Sequence, residues 1–315
     1  MTSGLGPFGF GCAGIAGMYQ ACPERKAMAT LQAAWDSGIR YFDTAPFYGT
    51  GLSEQRLGQF LQGKRATVST KVGRVLTPVD DAPDNGFIGA LPALVHFDYT
   101  HDAILRSFEA SLARLDHIDI LYVHDIGRFA HGDQADRHMA DLMGSGLQAL
   151  MRLRDEGAIS AWGLGINEAE VCVQVMQVAQ PDVILLAGRY TLLDQRAESL
   201  LPLCQARGVP LVIGGVVNSG ILATGAVPGA HFNYEPASAD ILSRVRGIEA
   251  LCKGEGVSLL AAALQFPGRS TAVASVLLGN ADPAGLLQNL NAVRQPVPDR
   301  LFQAAAHYAL RENSP

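Results

Sequence analysis

No apolar run in this chain approaches the roughly 20 residues that a membrane-spanning helix needs. The longest, LLAAAL over 259–264, is far shorter, so no membrane is expected as a partner. The beginning, MTSGLGPFGFG, lacks the basic region and apolar core of a secretory signal, and a cytoplasmic location is the expectation. Positive charge is scarce as well. With 24 Lys and Arg against 30 Asp and Glu the net charge is -6, whereas a nucleic-acid backbone requires a basic face. Nucleic acid is therefore not expected either. The five cysteines, Cys12, Cys22, Cys172, Cys204 and Cys252, are odd in number and contain no C-x-x-C pair, which points to reduced, buried thiols. What the chain does have is apolar mass: 48% hydrophobic against 17% charged residues over 315 positions is enough for a large packed core.

Short β-rich runs alternate with longer segments of helical periodicity to the end of the chain. The runs are FGFGC (8–12), IRYFD (39–43), TVSTK (67–71), IDILYVH (118–124), SAWGLGI (160–166), DVILLAG (182–188), PLVIGG (210–215) and AVASVLLG (272–279). Most are nearly continuous in hydrophobicity, as in a parallel sheet covered on both faces. The intervening segments carry single apolar stripes: Ile104, Phe108, Leu112 and Leu115; Val171, Val175 and Val178; Ile241, Val245, Ile248 and Cys252. Pro23 opens the first helix, and Gly38, Gly157 and Gly208 close others. Eight such units predict an α/β fold, a single (β/α)8 TIM barrel domain over 1–315, with no linker at which to cut two domains. The connections 72–100, 125–144 and 216–236 are long, and the first two show no obvious secondary structure. In a barrel such connections sit at the catalytic end. No low-complexity tract and no tighter repeat interrupts the pattern.

Two constellations bear on chemistry. GFGCAG at 9–14 matches G-x-G-x-x-G formally, but IAGMYQAC separates it from the helix at Pro23, and Asp43 lies beyond the usual spacing of about 20 residues. These glycines are expected instead to let the chain pass close to a ligand at the mouth of the first strand. The second constellation is distributed as a barrel demands. Asp43, Lys71 and His124 end the second, third and fourth strands, and Tyr48 follows Asp43 in DTAPFYG. Each alone has an ordinary structural explanation: a helix cap, a solvated lysine, a satisfied core histidine, a packed loop tyrosine. Together on one rim they make a proton-transfer device. A tyrosine near pKa 10 needs its phenolate stabilised, which the Lys71 ammonium does, and Asp43 holds the charge on that lysine. His124 can donate to a carbonyl oxygen and favour developing negative charge.

On these residues the chain resembles the aldo-keto reductases over nearly its whole length: G-F-G near the start, FDTAPFYG, STK, the VHD strand end and SVLLGNADPAGLLQNL. Within that family HFDYTHDAILRSFEASLARL, AWGLGINE, YTLLDQ and NSGILATG are most similar to the D-threo-aldose (L-fucose or galactose) 1-dehydrogenases, and pyridoxal 4-dehydrogenases share them. The resemblance implies hydride transfer with a nicotinamide cofactor, Tyr48 as general acid or base, Lys71 and Asp43 as its tuning pair, and His124 as the substrate-orienting group. It also implies Asn167 at the carboxamide, Asn218, Ser219 and Gly220 as pyrophosphate donors, Gly279, Asn280 and Asp282 near the adenosine ribose, and Gln288 and Asn289 near adenine. Polar helix starts would account for the last groups equally well. The aromatic residue that commonly stacks on nicotinamide aligns with Gly214, and the Gln commonly used on the sixth strand aligns with Ala187. GNADP lacks a basic partner for a 2'-phosphate, so NAD is expected in preference to NADP.

The substrate implied is a small polar aldose oxidised to its lactone. The alternatives are pyridoxal oxidation or general aldehyde reduction and, from another class, a cofactor-sensing regulatory protein on the same fold. No metal is expected: His124, His131 and His138 recur every seven residues, but the first ends a strand and the others lie in a loop, and H-E-x-x-H is absent. Ser111 or Cys12 as a nucleophile lacks an identifiable base. Oligomeric state is not legible.

Overall fold

A computed structural model describes residues 4–312; the few positions of the expected 1–315 domain on either side lie outside the described residues. Its centre is a closed parallel barrel of β1 (Phe8–Gly11), β2 (Tyr41–Asp43), β3 (Thr67–Val72), β6 (Ile120–His124), β7 (Ala161–Ile166), β8 (Val183–Ala187), β9 (Leu211–Gly214) and β12 (Val273–Gly279). The ring closes in the order β1-β12-β9-β8-β7-β6-β3-β2. These are the eight runs expected from the sequence; β3 extends one residue further, to Val72, and the others are trimmed by at most two residues at an end. Two insertions form small antiparallel hairpins, β4 (Arg74–Pro78) with β5 (Ala93–Phe97) and β10 (His231–Phe232) with β11 (Glu235–Pro236).

Burial explains why the strands read as apolar on both faces. Inside the barrel lie Leu5, Tyr41, Ile120, Tyr122, Val183, Leu185, Val212 and Leu277, while a larger cluster packs the helices onto its outer wall. The helix His101–Leu115 buries Ile104, Phe108 and Leu115, and Ala239–Gly254 buries Ile241, Val245, Ile248 and Cys252, as their stripes predicted. The third stripe is shorter than expected. The helix ends at Met176, and Val178 beyond it is 68% exposed. Pro23 precedes the helix Glu24–Asp36, and Gly38, Gly157 and Gly208 follow helix ends with positive φ. All five cysteines are free and buried.

The connections expected to be irregular are partly structured. Residues 72–100 contain the β4–β5 hairpin, and 125–144 contain the helices Arg128–His131 and Ala135–Asp141. Short periodic stretches of this kind fall below what an apolar pattern reveals. The glycines of GFGCAG also have another role. A side-chain carbon on Gly9 would lie 2.5 Å from Tyr41 Cδ1 and 2.9 Å from Leu277 Cδ2, so Gly9 makes room for its barrel neighbours rather than for a ligand. Gly14 opens only the three-residue 3-10 turn Gly14–Ala16, too short for the helix N-terminus of a dinucleotide fingerprint. Among the described residues no helix is long and apolar enough to cross a membrane.

Candidate active site

Asp43, Lys71 and His124 stand at the carboxyl ends of adjacent barrel strands, exposed by only 2%, 2% and 6%. Lys71 Nζ donates to Asp43 Oδ2 at 2.7 Å and to the Thr44 carbonyl at 2.7 Å. Asp43 Oδ1 accepts from Ser69 Oγ at 2.7 Å, and Ser69 in turn meets Tyr41 Oη at 3.1 Å. A polar column therefore rises through the barrel and ends in a buried ion pair at its mouth. Burial pushes the Asp43 carboxyl up, opposed by Lys71 and Ser69. Burial alone would lower Lys71, but Asp43 and Tyr48 outweigh it and hold the lysine protonated.

Tyr48 sits in the turn after β2, with Lys71 Nζ 4.8 Å from its ring centre and the His124 ring 6.0 Å away, edge-on. Phe87, brought over from the first long connection, stacks on Tyr48 at 5.9 Å, and Phe47 lies against Phe87 at 5.5 Å. The expected tuning is only half of what the geometry delivers. Lys71 does favour the phenolate, but burial is the larger effect and Tyr48 is held above its usual value. His124 is pushed well below the usual histidine range, first by burial and then by Arg74 and Lys71, so it is neutral and can donate one ring N–H. Its Nδ1 is buried without a partner among the described residues.

Arg74 and Asp125 join this centre without having been assigned any role from the sequence. Arg74 Nη2 donates to Asp125 Oδ2 at 2.5 Å, and that oxygen lies 3.4 Å from His124 Nε2. Because His124 is neutral, the second contact is not an ion pair. Tyr99 Oη donates to the His124 carbonyl at 2.7 Å and pins the strand end. Asp125 stands inside the quoted VHD, yet nothing local in that motif shows which way its side chain turns.

The residues expected at the cofactor are more scattered. Asn167 Nδ2 donates to the Ala187 carbonyl at 3.0 Å, which leaves its Oδ1 as an acceptor at the rim. Asn218 differs from expectation because its side chain is already used: Nδ2 donates to Gly188 O at 3.1 Å and Oδ1 accepts from Thr191 Oγ1 at 2.5 Å. The backbone N–H groups of Asn218 and Gly220 are likewise spent, on Gly215 O and Val217 O. These residues tie two rim loops together. Ser219 Oγ accepts from Tyr234 N at 2.9 Å. Asn280 Oδ1 closes a turn on Asp282 N at 3.0 Å, and Asn289 Nδ2 approaches the Gly279 carbonyl at 3.5 Å. Gln288 is exposed on the helix Pro283–Ala292.

Asp282 requires a correction. It caps that helix by accepting from Ala284 N at 2.8 Å and pairs with Lys26 Nζ at 2.8 Å. GNADP is therefore not without a basic neighbour, because folding brings Lys26 to it from the first helix. Gly11 and Gly279 pair across β1 and β12, and a side-chain carbon on either would come only into ordinary contact, at 3.8 Å, with its neighbours.

The three histidines do not share a centre. His131 and His138 lie on the two short helices with rings 4.4 Å apart, and His131 Nε2 meets Tyr99 Oη at 2.8 Å, while His124 faces the pocket. Among the described residues no group of three or more His, Cys, Asp or Glu side chains is placed to hold a metal.

A closed parallel barrel with a buried Asp–Lys pair, a tyrosine and a neutral histidine on one rim defines a (β/α)8 oxidoreductase site. The aldo/keto reductase family model matches residues 7–307, and the chain belongs to that family. It is 43% identical to a pyridoxal 4-dehydrogenase from Microbacterium luteolum, over 93% of this chain and 91% of that protein. It is 38% identical to a D-threo-aldose 1-dehydrogenase from a Pseudomonas species, over 96% and 93%. Among solved structures, the holo form of an aldo-keto reductase from Bacillus halodurans superposes with a TM-score of 0.73 at 25% identity, covering 96% of this chain and 92% of that one.

Proposed function

We propose that this enzyme oxidises the lactol carbon of a small aldose to the lactone, using NAD. The observation that carries this reading is the buried Asp43–Lys71 pair beneath Tyr48, opposite the neutral His124. Bound nicotinamide supplies the hydride acceptor. Tyr48 Oη removes the hydroxyl proton of the substrate, Lys71 stabilises the phenolate that does so, and Asp43 keeps Lys71 charged. His124 donates to the reacting oxygen and orients it.

Asn167, through its free Oδ1, is the proposed carboxamide partner, and Ser219, Gly279, Asn280, Gln288 and Asn289 line the path of the dinucleotide. The preference for NAD now has a different basis, since the Lys26 charge is taken up by Asp282 and neither side chain offers a free cation to a 2'-phosphate. The five unpaired cysteines suit a reducing compartment, and the cytoplasm is proposed.

A second reading, oxidation of pyridoxal, is favoured by the 43% identity to a pyridoxal dehydrogenase. Pyridoxal cyclises to a hemiacetal, so the same proton and hydride transfers serve both. The test is a screen of NAD reduction by purified protein over aldoses and pyridoxal. Turnover of a D-threo-aldose or L-fucose above pyridoxal supports the first reading, the reverse order supports the second, and no turnover of any of them refutes both.

A further inference from the structure

Asp125 and its partner Arg74 stand beside His124, yet the proton-transfer scheme gives neither a task. In a strand, neighbouring residues face opposite sides, so the residue after His124 should point outward toward the helices. It does not, because Asp125 takes a left-handed backbone, φ 46°, which turns its side chain back beside His124. Asp tolerates this conformation better than most residues. The carboxylate is then fixed. Arg74 Nη2 holds Oδ2 at 2.5 Å, the Arg74 guanidinium lies 4.1 Å from the Phe47 ring centre and 5.3 Å from that of Phe97, and Phe97 faces Arg74 across the β4–β5 hairpin. Asp125 Oδ1 accepts no hydrogen bond from the described residues.

Two features of this pair define what it can receive. A bare carboxylate beside His124 would oppose negative charge developing on the reacting oxygen, and the Arg74 guanidinium cancels that field. The free oxygen is acceptor only and can take a hydroxyl proton but not an anion. Since Oδ2 stands 3.4 Å from His124 Nε2, a substrate oxygen held by that nitrogen would have the carboxylate as a neighbour.

We propose that Asp125, held by Arg74, accepts a hydrogen bond from a hydroxyl next to the reacting carbon, so that the site selects 2-hydroxy aldehydes and their cyclic hemiacetals over unsubstituted aldehydes. This rests on the hydride-transfer reading of the site. Pyridoxal carries its ring hydroxyl one carbon further from the aldehyde than the 2-hydroxyl of an aldose lies from C1, so a contact of this kind favours the aldose reading. Arg74 and Asp125 begin the two long connections, so those insertions bring the selecting groups to the barrel.

The experiment compares kcat/KM for reduction of 2-hydroxypropanal and of propanal with reduced nicotinamide, in the native enzyme and in Asp125→Asn and Asp125→Ala. The native enzyme should favour the hydroxylated aldehyde by about 10- to 100-fold, the range for a hydrogen bond to a charged partner. Asp125→Ala should bring the ratio close to unity and Asp125→Asn, an isosteric weaker acceptor, to an intermediate value. If both aldehydes are reduced equally by the native enzyme, or if the preference survives in both variants, the inference is overturned while the oxidoreductase reading stands. If neither aldehyde is reduced, the hydride-transfer reading falls and takes the inference with it.

Discussion

Replacing Lys71 by Met should displace the pH profile of oxidation toward alkali, by an amount the geometry sets. The ammonium lies 4.8 Å from the Tyr48 ring centre. At that separation, with an effective dielectric of about 20, two unit charges interact by about 3 kcal/mol, or about 2 pKa units. Burial already holds Tyr48 above its usual value and Lys71 works against it, so removing the ammonium pushes the phenol further up. Oxidation needs the phenolate, and its alkaline rise should move up by about 2 units. Reduction needs the phenol and should persist to higher pH by the same shift. A second consequence must be separated from the first. Lys71→Met alone strands the Asp43 carboxylate, which is 2% exposed, and breaking one side of a buried pair costs about 3–5 kcal/mol of stability. The double variant Asp43→Asn/Lys71→Met removes both charges and keeps the barrel mouth neutral. The assay is kcat/KM for oxidation from neutral to strongly alkaline pH in the native enzyme and both variants. A rise that stays at its native position in both variants would refute control of the Tyr48 proton by Lys71.

Tyr48→Phe should bind reduced nicotinamide nearly as the native enzyme does, by fluorescence titration, while losing about 100-fold or more in kcat; retention of most of kcat would remove Tyr48 from the mechanism. Asp282→Asn should free Lys26 and strengthen binding of NADPH relative to NADH in the same titration, whereas an unchanged ratio would show that the Lys26–Asp282 pair does not meet the ribose. Gly163→Ala would place a carbon 1.8 Å from the Val183 carbonyl in the barrel wall, and should lower the urea midpoint by the equivalent of about 1–3 kcal/mol or prevent folding. Tyr234→Gly should raise Tm, since Tyr234 holds a left-handed φ of 70° that glycine adopts without strain; a lower Tm would mean that contacts of the Tyr234 ring outweigh the backbone cost.

The shared centre of Asp43, Lys71 and His124 was legible because a parallel barrel delivers the carboxyl end of every strand to one rim. The cofactor path was less legible. Its residues lie in loops whose side chains first satisfy one another, so Asn218, expected as a pyrophosphate donor, has its side chain bonded to Gly188 and Thr191 instead. Likewise the acidic GNADP turn looked unpaired because Lys26 is distant along the chain and adjacent only after folding.

By itself the sequence determined the eight strands, the helices with their buried stripes and the convergence of Asp43, Lys71 and His124 on one rim, because each follows from short-range periodicity and from the symmetry of the barrel. Only the tertiary structure decided the rest. Whether burial or Lys71 governs the Tyr48 proton depends on how much protein surrounds the phenol, which no local pattern encodes. Whether Asp125 faces the helices or the pocket depends on one left-handed residue, and its partner Arg74 reaches it through the register of a hairpin inserted between two barrel strands. Periodicity records which face of an element is buried, whereas electrostatics in a pocket depends on distances between residues far apart in the chain, and those are settled when the barrel closes.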